Sequence, residues 1–298
     1  MPGARVVPRF EPTPDPVDFG AVPWPDDLYL DRNRRITVGT LPGEGAENAA
    51  FYESIGRVVL AGERSGHRVD DHVFVPGARC FGEVRGLFGG AAKRLVVPSA
   101  RAIQIEEQLG QQGVLLALAA TAYHAVAGGR PPELIVGHGV LGRLLARITI
   151  AMGAAPPTVW ETNPARRTGS HVYPVLHPDQ DPRKDYAVIM DASGAGDLID
   201  TLVARLARGG EIVLAGFYSE RLSFAFVPTF KREARLRVAA EWAPEDLAAT
   251  NALLETGGLS LHRLITHERQ VQDAKDAYGM AFGDSKCLKM VLDWRQCV

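Results

Sequence analysis

The sequence is short of cysteine, of net positive charge and of long apolar runs, and each shortage closes off a class of function. Its three cysteines, Cys80, Cys287 and Cys297, are too few and too scattered for a disulfide framework or a four-thiolate zinc lobe. That points to a reducing compartment, the cytoplasm. A formal net charge of -2 supplies no broad cationic surface, so nucleic acid is not an expected partner. The longest apolar stretch, Gly113 to Ala127, is broken by Thr121, Tyr123 and His124 and falls short of the roughly 20 residues a spanning helix needs. It reads as a buried helix, and no transmembrane segment is expected. Met1 to Pro25 carries Arg5, Arg9, Glu11, Asp15 and Asp18 without an apolar core, which excludes a secretory signal.

What is present is enough apolar material, 46% of 298 residues, for two modest cores. Eight of the 20 prolines fall in the first 42 residues, a density that blocks helices and removes strand donors, so that segment is expected to be loop or tail. From Ile55 the texture changes to short β-branched runs, Ile55 to Leu60, Asp71 to Val75 and Arg94 to Val97, separated by glycine and proline, as in a small β-rich module. Beyond about residue 109, strand and helix alternate. Leu134–Val136, Thr158–Trp160, Ala187–Met190 and Glu211–Ala215 read as strands. Leu141–Met152 and Asp197–Leu206 read as helices, the second closed by Gly209-Gly210. Such alternation demands a parallel sheet covered by helices. Pro244 opens a helix to Glu255, and the tail combines a helix near Val271 to Phe282 with a strand at Leu288 to Leu292.

Gly137-x-Gly139-x-x-Gly142 lies where the strand Leu134–Val136 turns into the helix that follows. Gly137 permits the tight turn, Gly139 lets the backbone approach a pyrophosphate, and Gly142 lets the helix pack on the strand. The phosphates then meet the free amides of Val140, Leu141 and Gly142 and the positive end of the helix dipole. Glu161, nineteen positions after Gly142 at the end of the next strand, can accept the adenosine ribose hydroxyls and would repel a 2'-phosphate. That favours NAD, although Arg166 and Arg167 follow within one turn and have the chemistry for such a phosphate. Asp191-Ala-Ser193-Gly194 and Ala215-Gly216-Phe-Tyr218 end two further strands at the carboxyl edge, where small residues admit the second ribose and the nicotinamide.

Residues 48 to 294 resemble the medium-chain dehydrogenase/reductase superfamily in several segments in order. They are Tyr52 to Val59, Val69 to Val75, Thr121-Ala-Tyr-His-Ala125, the glycine motif, Asp191 to Gly194 and Cys287 to Trp294. The resemblance implies an α/β fold, a GroES-like β module plus a Rossmann doubly wound parallel sheet, with substrate in the cleft between them. The implied division is an atypical proline-rich amino end over 1–47, a substrate domain over 48–108 plus 256–298, and a dinucleotide-binding domain over 109–255. It also places Thr121 beside the nicotinamide. Val75 to Phe81, Gly86 to Ala92, Leu134 to Gly142 and Asp181 to Asp185 are similar to a branch of the superfamily that acts on a tetrapyrrole. NAD-linked oxidation of a secondary alcohol on the chlorin ring is therefore expected, with a homodimer as the possible assembly. Met1 to Ala50 does not resemble the superfamily's first strands, which implies a misassigned gene start or a replaced amino end.

Zinc-dependent members carry an early cysteine, a His-Glu pair at the place of Tyr52-Glu53, and a third ligand at the place of Ala117. Here there is no cysteine before Cys80, and tyrosine and alanine cannot stand in for imidazole and thiolate at tetrahedral zinc, so no metal is expected. A proton acceptor for the alcohol must then come from Tyr52, Tyr123, His124 or water. Phe81, Leu87 and Phe88 are either cleft wall or β-module core. Two other readings stay open: a zinc-free quinone or enoyl reductase using NADPH, and a dinucleotide-binding protein without a working cleft.

Overall fold

The computed structural model describes residues 35–41 (backbone pairing only), 53–76, 94–168, 172–218 and 221–295. Strands β1 (Arg35–Leu41), β2 (Glu53–Ala61), β3 (His72–Pro76), β4 (Arg94–Pro98) and β5 (Ile103–Gln104) form an antiparallel sheet in the order β4-β1-β2-β3-β5. Val58, Val73, Val75, Leu95 and Val97 fill its core. The loop expected for the first 42 residues is thus corrected at its end, where β1 pairs with both β2 and β4. The reason is local: Arg-Ile-Thr-Val-Gly-Thr-Leu lies between Pro25 and Pro42, contains no proline and is rich in β-branched residues.

Helix α1 (Leu116–Ala127) leads into a six-stranded, all-parallel sheet. Its strands are β6 (Leu134–Val136), β7 (Thr158–Trp160), β8 (Val175–Leu176), β9 (Tyr186–Asp191), β10 (Leu206–Leu214) and β11 (Arg235–Val238), in the order β11-β10-β9-β6-β7-β8. Helices α2 (Val140–Ala151), α3 (Pro164–Arg167), α4 (Ile199–Arg205), α5 (Phe226–Arg232) and α6 (Pro244–Glu255) connect and cover it. Alternate residues of the central strands enter two different cores. Ile135, Val213 and Ala215 pack with α1 and α2, whereas Leu134, Val136, Ile212 and Leu214 pack with α4. Burial on both faces is why these strands read as unbroken apolar runs. The first core also takes in Ile55 and Phe74 of the antiparallel sheet and Leu259, Leu261 and Leu264 of the tail.

The expectation that Gly209-Gly210 closes α4 is corrected. The helix stops at Arg205, and β10 already pairs at Leu206 with Tyr186, then bulges before resuming at Glu211 opposite Val188. The glycines sit inside that bulge. In the tail, β12 (His267–Gln270) and β13 (Met290–Asp293) pair in parallel around α7 (Ala274–Gly283).

Candidate cofactor and substrate site

Strand β6 stands at the point where the sheet changes direction, with β7 and β8 on one side and β9, β10 and β11 on the other. Its carboxyl end therefore opens into the crevice where doubly wound sheets hold ligands. Gly137, with φ of 95°, makes the turn and donates its amide to the Trp160 carbonyl at 2.9 Å. Gly142 lies directly on that turn, since a Cβ there would overlap the Gly137 carbonyl oxygen. Gly139 is the N-cap of α2 without a side-chain cap, and the nearest atom to a Cβ built there is Arg166 Nη1 at 4.0 Å. The first amides of α2, those of Val140, Leu141 and Gly142, have no intrahelical acceptor, and no acidic residue lies in that turn. An open backbone cradle at a positive helix end fits a pyrophosphate.

Glu161 closes the loop from the β7 side. Its buried carboxylate accepts the His138 amide (3.1 Å) through Oε2 and the Asn163 amide (2.8 Å) through Oε1. Each oxygen retains a second lone pair for a ribose hydroxyl. His138 is fully buried: Nδ1–H donates to the Arg166 carbonyl (2.7 Å), and Nε2 lies within hydrogen-bond distance of the Tyr173 hydroxyl (3.0 Å). Burial pushes the Tyr173 phenol up, against the pull of Arg147 and Arg143. His138 therefore shapes the loop. Arg143 supports the same loop, Nε donating to the His138 carbonyl (3.1 Å) and Nη2 to that of Arg166 (3.2 Å). Arg166 donates to the carbonyls of Ser285 (2.8 Å) and Cys287 (3.5 Å), and Arg167 to those of Glu161 (3.0 Å) and Thr162 (2.6 Å).

At the ends of β9 and β10 the centre is Asp191, which has no exposed surface. Oδ1 accepts the amide (2.9 Å) and hydroxyl (2.6 Å) of Ser193, and Oδ2 accepts the Tyr218 hydroxyl (2.8 Å). The Gly216 amide donates to the Asp191 carbonyl at 2.9 Å. Burial and the adjoining Asp191 charge drive the Tyr218 phenol far above its ordinary value, so it stays protonated and donating. Sequence reasoning missed Tyr218 as an anchor; the available signal was an aromatic two residues past a glycine at a strand exit.

The α1 candidates are placed differently. Thr121 returns its hydroxyl to the Ala117 carbonyl (2.9 Å), and Tyr123 packs partly buried against the main core. His124 Nδ1 meets Asp246 Oδ2 at 2.8 Å, and that oxygen also accepts the Ala243 amide, so His124 bridges α1 to the start of α6. Its partners are thus on α6, whereas those of the glycine loop lie on β7, β9 and the segments after them. Tyr52, Phe81, Leu87 and Phe88 lie outside the described residues. Glu53, beside Tyr52, forms a buried ion pair with Lys289 (2.5 Å). Ala117 offers no ligand atom. Among the described residues no three His, Cys, Asp or Glu side chains gather as a metal site, and no helix is long and apolar enough to cross a membrane.

No family model matches the chain. The 2-desacetyl-2-hydroxyethyl bacteriochlorophyllide A dehydrogenase of Rhodobacter capsulatus is 56% identical to it over 288 residues, covering 92% of each chain. The enzyme of that name from Cereibacter sphaeroides is 58% identical over 292 residues, with the same coverage. The chain belongs to this family of medium-chain dehydrogenases. It is an oxidoreductase acting on an alcohol carbon with a nicotinamide cofactor. Among solved structures, an Escherichia coli alcohol dehydrogenase complexed with NADH superposes with a TM-score of 0.73 at 20% identity, over 87% of this chain and 92% of that one. The expected architecture of β module and doubly wound sheet is thereby established.

Proposed function

We propose that this chain oxidises the hydroxyethyl substituent of a bacteriochlorophyllide to acetyl, with NAD as hydride acceptor. The observation that carries the substrate is the 56–58% identity, across 92% of each chain, to dehydrogenases named for that pigment. The amides of Val140, Leu141 and Gly142 would hold the pyrophosphate, Glu161 would accept the adenosine ribose, and Asp191, Ser193, Gly216 and Thr121 would border the nicotinamide half. When bound, the nicotinamide supplies the hydride acceptor. NAD is favoured over NADP because the buried Glu161 carboxylate repels a 2'-phosphate, while Arg166 and Arg167 are both held by main-chain carbonyls.

Turnover removes a hydride from the carbinol carbon and a proton from its hydroxyl. The conjugated macrocycle delocalises positive charge developing at that carbon, which lowers the demand for a Lewis acid. Of the proton acceptors, His124 is engaged by Asp246 and Tyr123 by the core, so Tyr52, adjoining the Glu53–Lys289 pair, is the acceptor to test first. Homodimerisation is supported by the surface: edge strand β11 leaves Leu236 and Val238 exposed, and α5 exposes Phe226 and Phe230. Sedimentation of the purified chain reads that assembly directly.

The assay is purified chain with the hydroxyethyl pigment and NAD, then NADP, following the pigment's red band and reduced cofactor together. Pigment-dependent NADH formation, faster than NADPH formation, is the expected result. Binding of NADH without turnover of the pigment on either cofactor overturns the reading.

A further inference from the structure

The loops beyond β9 and β10 press backbone against backbone. A Cβ on Gly216 would come within 3.1 Å of the Gly194 amide nitrogen, and one on Gly194 within 3.0 Å of the Phe217 carbonyl. This contact fixes the main chain at Phe217. The next side chain, Tyr218, turns inward and is held by fully buried Asp191 through a 2.8 Å hydrogen bond. With its neighbour anchored beneath the sheet edge, Phe217 projects outward. It is 88% exposed, more than any other large apolar side chain among the described residues. Its ring stands almost wholly in solvent, yet the backbone that carries it is clamped from two sides.

Position gives the ring a use. Phe217 lies one residue past Gly216, at the carboxyl edge where the reactive end of the cofactor is expected and where the reacting carbon of the substrate must arrive. A chlorin is a rigid disc with broad apolar faces, and a bare aromatic ring on a fixed backbone complements such a face by stacking. Resting on the pigment reading above, we propose that Phe217 is the platform against which the tetrapyrrole macrocycle lies, and so a determinant of specificity for flat conjugated alcohols over small ones.

Phe217→Ala and Phe217→Tyr in the full chain test this. Because the ring is almost wholly in water, neither change is expected to move the unfolding midpoint or the affinity for NADH. The alanine variant should raise the pigment KM about tenfold, with kcat within about twofold of the parent. The tyrosine variant, which keeps the stacking face, should restore KM to within about twofold. Three outcomes overturn the platform: an unchanged pigment KM in Phe217→Ala, an equal loss of NADH affinity, or a shift of the sedimentation coefficient, which would mean that a second copy of the chain covers the ring. The parent enzyme is the control. If it turns over pigment while Phe217→Ala keeps its KM, the platform alone fails; if it does not, the substrate reading fails and takes the platform with it.

Discussion

Glu161 grips the middle of the glycine loop, its Oε2 accepting the His138 amide at 3.1 Å while Oε1 accepts that of Asn163 at 2.8 Å. One carboxylate therefore sets the loop's shape and, on the proposed reading, would also select against a 2'-phosphate. Glu161→Gln keeps an acceptor toward one amide but removes the charge that repels a phosphate. It should raise the KM for NAD about fivefold to tenfold and narrow the preference over NADP, as read from initial rates with both cofactors. Glu161→Ala leaves both amides without this acceptor, and should cost about 1–3 kcal/mol in denaturant unfolding as well.

The glycines at 139 and 142 should fail in different ways. Gly142→Ala drives a methyl group into the Gly137 carbonyl, so both stability and NADH affinity should fall, the first by about 1–3 kcal/mol. Around Gly139 the nearest atom stands 4.0 Å from a built Cβ, so Gly139→Ala should fold as the parent does and lose only affinity for the dinucleotide. Thermal unfolding beside an NADH fluorescence titration separates the two, and equal behaviour would contradict the arrangement.

The Glu53–Lys289 pair joins the antiparallel sheet to the tail, with each side chain only 9% exposed. Removing one partner takes the counterion away from a buried charge. Glu53→Gln or Lys289→Met alone should destabilise by about 3–5 kcal/mol, and the double variant should recover much of that loss. Additive effects in the double variant would rule out coupling.

Asp181 and Tyr186 predict the two limbs of the stability profile. Burial works to raise Asp181, but hydrogen bonds from the Tyr186 hydroxyl (2.6 Å), the Arg183 amide (2.9 Å) and Trp160 Nε1 (2.7 Å) outweigh it and hold the carboxyl below its ordinary value. Its contribution is present above the unfolded value near pH 4 and is lost as pH falls through the lower folded one. Tyr186, raised to about 12 by burial and by donation to Asp181, contributes below pH 10 and loses that contribution as pH rises through about 12. Asp181→Asn should flatten the acid limb in denaturation curves taken across pH.

Much of this was legible in sequence because the constraints were local. Leu134–Val136 and Thr158–Trp160 stand as strands at the bounds read from their apolar runs, and Gly137 and Gly142 meet steric demands that no other residue satisfies. Other features depend on partners far along the chain. Tyr218 acquires its role from Asp191, 27 positions earlier, His138 from Tyr173, 35 later, and Glu53 from Lys289, 236 later. The bulge at Gly209-Gly210 was hidden because glycine serves equally to end a helix and to let a strand bulge. Strand β1 was hidden by averaging proline over a long window.

A Cβ built on Gly139 would lie 4.0 Å from Arg166 Nη1, and Arg166 is braced by carbonyls at Ser285 and Cys287, two residues short of the lysine that ties down Glu53. The carboxyl-terminal stretch thus serves as a tie rod between the segment beside the glycine loop and the antiparallel sheet. A chain cut before residue 285 would lose its grip on the dinucleotide as well as its closing strand.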